Sequence, residues 1–201
     1  MFAKAPVPGS VKTRLAGLLG ADGAAGLHAG LTRHALATAV AAGVGDVELW
    51  CAPDDRHEFF GRCAADFGAR LRVQAGTDLG GRMAAAFDDA FARGRALVLI
   101  GSDCPALRPA DLASAAASLA QHEVAIAPAE DGGYVLVAMA RPVPAIFTGV
   151  AWGTAAVMRQ TRERLAAAGV RWKELATSWD VDRPEDYARL QREGLLQEVL
   201  S

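Results

Sequence analysis

Only Lys4, Lys12 and Lys173 are lysines among 21 basic residues, and two of them fall in the opening MFAKAPVPGSVKTRL, with Arg14 alongside. Pro6 and Pro8 stiffen this stretch, and Gly9 permits a tight bend with close backbone approach. The following SVKTRL reads as the start of a helix. A glycine bend that feeds a helix N-terminus offers free N–H groups, and Lys12 and Arg14 add formal charge; a phosphate suits that combination. The spacing of the Walker phosphate loop is absent. A solvated, proline-rich turn with surface cations is the competing reading, and the residues alone weigh the two evenly.

Two acidic stretches add a second kind of chemistry. In LVLIGSDCPAL a buried strand runs into Gly101, Ser102, Asp103, Cys104 and Pro105. A carboxylate just past a central strand, with glycine clearance and a proline-set turn, is placed to hold a divalent cation. The alternative is an Asx-type turn cap. Cys104 could be a nucleophile, but no histidine lies in an evident partnering stretch, which favours a buried packing thiol. In SWDVDRPEDY, Asp180 and Asp182 alternate at the expected end of the last strand. Asp182 with Glu185, and Pro184 in the first turn, would also make a capping box for the next helix. Two aspartates from separate strand ends match the Mg²⁺ habit of using one or two carboxylates plus substrate phosphates. GTDLGGRM places Gly80, Gly81 and Arg82 at a helix start, suited to a flat or phosphorylated ligand or simply to a solvated arginine. EDGGY, with Asp131 and Gly132, reads as a ligand loop or a plain strand connection.

These stretches need elements to carry them. VELWCA (47–52), LRVQA (71–75), ALVLI (96–100), VAIAP (124–128), YVLVA (134–138) and roughly 171–176 read as strands, and Phe2 to Ala5 as a short first one. Between most of them lie helical patterns. Leu79, Met83, Phe87, Ala90 and Phe91 form one stripe over 78–92, with Asp78 as N-cap. Val157, Thr161, Leu165 and Ala168 form another over 153–168. The Ala-rich run 35–42 reads as a helix end closed by Gly43. Alternating elements with unbroken apolar strands predict an α/β fold with a mostly parallel sheet covered on both faces. Five residues, AEDGG, separate 124–128 from 134–138. A parallel crossover takes about a dozen or more, so one strand must be antiparallel. In such sheets ligands gather beyond the strands' carboxyl ends.

Composition narrows the function. A length of 201 residues with 52% hydrophobic content predicts one globular domain over 1–201. Net charge of −2 offers no global field for nucleic acid or an anionic membrane. Cys51, Cys63 and Cys104 are odd in number and widely spaced, as for free thiols in a reducing compartment. The four histidines lack zinc-ligand spacing. No apolar run approaches the length of a membrane span, and PVPGSVKTR interrupts any leader-like core, so a cytoplasmic protein is expected.

FAKAPVPGSVKTRL, GTDLGGRM, IGSDCPAL, AEDGGYVLVA, VAWGTAAVMRQT and WDVDRPEDY, in this order, resemble a bacterial family of glycosyltransferase-A-like transferases. Its members are described as radical-SAM-associated or arsenosugar-biosynthesis glycosyltransferases. More distantly the chain is similar to molybdopterin and 2-phospholactate guanylyltransferases. The resemblance spans residues 2–190. It implies a nucleotide-diphospho-sugar transferase fold, a three-layer sandwich on a mostly parallel mixed sheet with one antiparallel strand. It implies a nucleotide or nucleotide-sugar substrate contacted by Ala5, Pro6, Gly9, Lys12, Arg14, Gly80, Arg82, Asp131 and Gly132. It implies Mg²⁺ or Mn²⁺ on Asp103 and Asp182, with Asp103, Lys12 and Arg14 serving the reaction. Gly153 stands where the family's Trp-Ser-Thr motif has serine, and Arg183 replaces a threonine before Pro184. The functional expectation is metal-dependent transfer from a nucleotide-activated substrate, glycosyl transfer first. Nucleotidyl transfer with pyrophosphate release and non-catalytic nucleotide binding stand as alternatives, and a small hydrolase using Cys104 or Ser102 as a remoter one.

Overall fold

A computed structural model of the chain describes residues 1–200. In chain order the elements begin β1 (Phe2–Lys4), α1 (Ala16–Ala42), β2 (Glu48–Ala52), α2 (Glu58–Phe67) and β3 (Arg70–Val73). Next come α3 (Leu79–Ala92), β4 (Leu97–Ile100), α4 (Pro109–Ser118), β5 (Val124–Pro128) and β6 (Tyr134–Met139). The rest is α5 (Val157–Ala167), β7 (Trp172–Glu174), α6 (Pro184–Arg192) and α7 (Leu195–Leu200). They fall into two compact units, each discontinuous in sequence.

The first unit comprises Met1–Val73, Gly101–Pro109 and the described residues from Trp179 onward. Its sheet is β1-β2-β3, all parallel, with Phe2 opposite Trp50 and Leu49 opposite Leu71. Leu49, Trp50 and Cys51 are buried, which explains why β2 reads as an unbroken apolar run. Helix α1 buries Ala24, Leu27, His28, Leu31 and Ala35 on one face. Leu27 and Leu31 meet Trp179, Val181, Leu190 and Val199 in one core cluster. Gly43 closes α1 in the left-handed region, as its sequence predicts.

The second unit comprises Gln74–Ile100 and Ala110–Ser178. Its sheet order is β4-β6-β5-β7. Strand β6 runs antiparallel to both β4 and β5, while β5 and β7 are parallel. This is the reversed strand demanded by the short AEDGG connection. Asp78 caps α3, its Oδ1 accepting from the Gly81 N–H at 2.7 Å. The buried face of α3 carries Met83, Ala86, Phe87 and Ala90, and Phe87 stacks on Phe147 at 5.6 Å.

Four local expectations change. SVKTRL does not open an α-helix: Lys12 takes φ +46°, Thr13–Leu15 form a single 3₁₀ turn, and Gly20 breaks helical geometry (φ +71°) just inside α1. Helix α5 starts at Val157 rather than near 153, because Gly153 has φ +76° and cannot continue a right-handed helix. Strand β7 ends at Glu174, so Asp180 and Asp182 lie outside any strand. Finally, Asp182 does not cap α6. Asp186 does so from inside the helix, its Oδ2 accepting from the backbone N–H groups of Asp182 and Arg183 at 3.0 and 2.7 Å.

Candidate functional site

Lys12 is the only non-glycine residue with positive φ among the described residues. An L-residue there costs about 1–2 kcal/mol, which the fold must offset with what Lys12 contacts. Its side chain is only 4% exposed, so the reading of a surface cation fails for this lysine. Nζ lies 2.7 Å from Asp103 Oδ2 and donates to the Val181 carbonyl at 2.6 Å. An ammonium has three donors, so one N–H stays available.

Val181 ties the acidic stretches together. Its N–H donates to the Asp103 carbonyl at 2.9 Å, while its own carbonyl accepts from Lys12. The next residue, Asp182, pairs with Arg14 through Oδ2. Arg14 is 62% exposed and engages Asp182 through Nη1, so most of its donor fork faces solvent. Two cations from residues 12–14 thus meet two carboxylates from distant stretches, all inside the first unit. The loop before them is bonded by Ala5 N–H to Ala52 O at 2.9 Å and by Ser10 N–H to Val7 O at 3.0 Å. Gly9 has φ +78°, the turn for which glycine is needed. Pro6 is partly buried there.

Asp103 carries more than the lysine. Its Oδ1 accepts from Ser102 Oγ at 2.8 Å, and His28 Nδ1 stands 3.9 Å from the same oxygen. Partial burial raises the proton affinity of this carboxyl. The Lys12 ammonium, His28, and the hydrogen bonds from Lys12 and Ser102 outweigh it, so Asp103 titrates below the usual carboxylate range. His28, on the buried face of α1, is pushed below its ordinary value by burial, against the opposing pull of Asp103. Its Nε2 lies 3.0 Å from the Lys4 carbonyl, which only accepts. In the neutral ring, which burial favours, the proton therefore sits on Nε2 and Nδ1 keeps a bare lone pair. That nitrogen is buried and has no hydrogen-bond partner.

Sequence reasoning passed over His28 and Ser102. The sequence offers its histidines only as zinc ligands or as partners for Cys104, and Ser102 only as a nucleophile. The available signal is a titratable side chain in the middle of the stripe Ala24, Leu27, Leu31, Ala35 on the buried face of α1. Cys104 is buried, in line with a packing thiol.

The remaining candidates lie in the second unit. Gly80 is buried, and a Cβ there would come within 2.2 Å of Trp152 Nε1, so the indole fills the clearance that the glycine leaves. Arg82 turns back on its own loop, Nε donating to Gly76 O at 3.3 Å. Asp131 Oδ1 accepts from Gly133 N–H at 2.8 Å in the β5–β6 connection. Gly132 has φ +92°, and a Cβ would approach Ala155 O to 2.4 Å. In the structure Gly80 and Gly132 both serve close packing.

Metal fit rests on donor chemistry. Among the described residues no three His, Cys, Asp or Glu side chains gather to cage a metal. Asp103 and Asp182 are oxygen donors, 40% and 37% exposed, each with one cation partner. Carboxylates offer about four lone-pair sites each, and Mg²⁺ commonly takes one or two of them with phosphates and waters completing the shell. The donor set therefore fits Mg²⁺ or Mn²⁺, and does not fit zinc.

The parallel and mixed sheets define a nucleotide-diphospho-sugar transferase fold, and comparison with solved structures bears this out. A provisionally assigned nucleotide-diphospho-sugar transferase from Desulfovibrio desulfuricans G20 superimposes with a TM-score of 0.83 at 30% identity, over 98% of this chain and 95% of that one. Rv0371c from Mycobacterium tuberculosis H37Rv matches at TM-score 0.55 and 18% identity, over 81% and 83% of the two chains. CMP:2-keto-3-deoxy-manno-octonic acid synthetase, solved with CTP, matches at TM-score 0.57 and 17% identity, over 84% and 88%. At these two lower identities the likeness is one of fold. Residues 35–154 match a family described as "uncharacterized protein conserved in bacteria" (DUF2064), and the chain belongs to it. No curated protein matches the chain.

Proposed function

We propose that this chain is a metal-dependent transferase acting on a nucleotide-activated substrate, and that it moves the glycosyl group of a nucleotide sugar. The observation that carries the reading is Lys12: a buried ammonium in a strained backbone conformation, paired with Asp103. Strain of this kind concentrates at functional sites. The name of the Desulfovibrio relative and the resemblance to radical-SAM-associated glycosyltransferases support the same class.

In this reading Asp103 and Asp182 hold the divalent cation, which when bound neutralises charge building on the departing diphosphate. Lys12 keeps two donors on Asp103 and Val181 and gives its third to a phosphate oxygen. Arg14, partly free in solvent, offers the rest of its fork to the same group. The Asp103–Lys12 bond holds the ammonium in place before the substrate arrives, so little reorganisation is needed as charge develops.

A thermal-shift panel of nucleoside diphosphates and nucleotide sugars, with and without Mn²⁺, identifies the ligand. A ligand at a hundred times its Kd stabilises by roughly 2.7 kcal/mol. Product analysis then decides the reaction. Free nucleoside diphosphate is the expected product; pyrophosphate would make the chain a nucleotidyltransferase instead. Absence of any nucleotide-dependent shift overturns the proposal.

A further inference from the structure

We propose that His28 is a positioning residue for the cation site, accepting a hydrogen bond through Nδ1 from a water bound to the metal. The inference rests on the cation reading above. Nδ1 is buried in a side chain only 5% exposed, has no partner, and stands 3.9 Å from Asp103 Oδ1. A buried acceptor left unsatisfied is penalised by its lost solvation, so an occupant that brings a hydrogen is favoured at this point.

The chemistry of that occupant is constrained from both sides. The imidazole lone pair and the ionised carboxylate are both acceptors, and neither can satisfy the other. A phosphate oxygen has no hydrogen to give and would meet the carboxylate's charge. A water that points a lone pair at a cation turns both hydrogens outward and needs two acceptors. Hydrogen bonds of about 2.8 Å to each reach across a 3.9 Å gap between acceptors. Ligating carboxylates and metal-bound waters depend on such outer partners for orientation. The Nε2–H bond to Lys4 O, at 3.0 Å, locks the ring so that the lone pair faces the site.

Two amide substitutions separate the roles of the two ring nitrogens. In His28→Gln the side-chain amide can still donate to Lys4 O from the Nε2 position, but the acceptor facing Asp103 is lost. In His28→Asn an acceptor remains near the Nδ1 position. Mn²⁺ alone is the probe, followed by calorimetry and by electron paramagnetic resonance of free ion. His28→Gln is expected to weaken Mn²⁺ roughly ten- to a hundredfold, while His28→Asn keeps most of the affinity. Equal affinity in wild type and His28→Gln overturns the inference and leaves the cation site standing. So does His28→Asn falling as far as His28→Gln. No Mn²⁺ binding by the wild type overturns the cation reading and this inference together. ¹⁵N resonances of the wild-type histidines give a measurement free of folding defects: adding Mg²⁺ should move the His28 Nδ1 signal, and an unmoved signal overturns the proposal.

Discussion

At the scale of single residues, the Lys12–Asp103 pair governs what substitution does. Asp103→Asn leaves an ammonium that is 4% exposed facing a neutral amide. Because Asp103 itself is 40% exposed, the expected loss is about 1–2 kcal/mol, below the 3–5 kcal/mol of a fully enclosed pair. Removing both charges with Lys12→Met recovers most of that loss. Denaturant melts of the four-member cycle measure the coupling, and simple additivity would refute the pairing. The pH dependence follows from two depressed groups. His28 titrates lower in the folded chain than unfolded, so the unfolded chain takes up the proton first, and stability falls as pH drops below about 6.5. Asp103 is likewise depressed, and its contribution is intact above about pH 4 and lost as acid protonates the folded carboxyl. The difference in Tm between wild type and His28→Asn across pH isolates the histidine, and should shrink as pH falls from 7 to 5.

At the scale of elements, the connections are as constrained as the strands. Gly132 joins β5 to β6 with φ +92°, and the space for a Cβ is taken by backbone atoms of Ala155 at 2.4–2.8 Å. Its carbonyl also accepts from Met158 N–H at 2.7 Å, at the start of α5. Gly132→Ala therefore meets both a forbidden dihedral and an immovable neighbour. A loss of about 2–4 kcal/mol is expected. Gly9→Ala, where a Cβ would meet nothing within 4 Å, should cost only the dihedral term, about 1 kcal/mol. Thermal melts of the two variants rank them, and equal losses would show that packing around Gly132 yields easily. Gly153, at φ +76°, is conformationally suited to the turn in which the resembling family carries serine.

At the scale of the whole molecule, a net charge of −2 leaves anion binding to local cations. The two that matter differ in exposure, 4% for the Lys12 side chain and 62% for Arg14. Raising salt from 0.1 to 1 M shortens the screening length from about 10 to 3 Å, which weakens exposed charges far more than buried ones. Affinity for a nucleoside diphosphate should fall over that range in the wild type. Arg14→Ala should lower affinity and flatten the salt dependence; a slope unchanged by the substitution would remove Arg14 from phosphate contact. Among the described residues no helix is long and apolar enough to cross a membrane.

The strands were legible because their signals are local. VAIAP at 124–128 coincides with β5, and ALVLI and YVLVA differ from β4 and β6 by one residue at an end. The antiparallel β6 followed from the length of one connection, and the Asp78 cap and Gly43 stop from the chemistry of a single turn. The opening loop was legible only in part: its bend at Gly9 was visible, but the left-handed Lys12 was not, since lysine carries no intrinsic preference for that region. The acidic string before α6 misled for a related reason. Several carboxylates could cap that helix, and side-chain reach chose Asp186, leaving Asp182 to Arg14. What only the tertiary structure decided is which distant groups meet. Lys12 and Val181 are 169 positions apart, and no local period encodes their bond. His28 looked like one more position on the inner face of a helix until Lys4 fixed one nitrogen and Asp103 stood opposite the other. Hydrophobic period and turn chemistry act over a few residues and so can be read along the chain. Pairing of charges and lone pairs depends on which surfaces burial brings together, and that is settled only when the chain has folded.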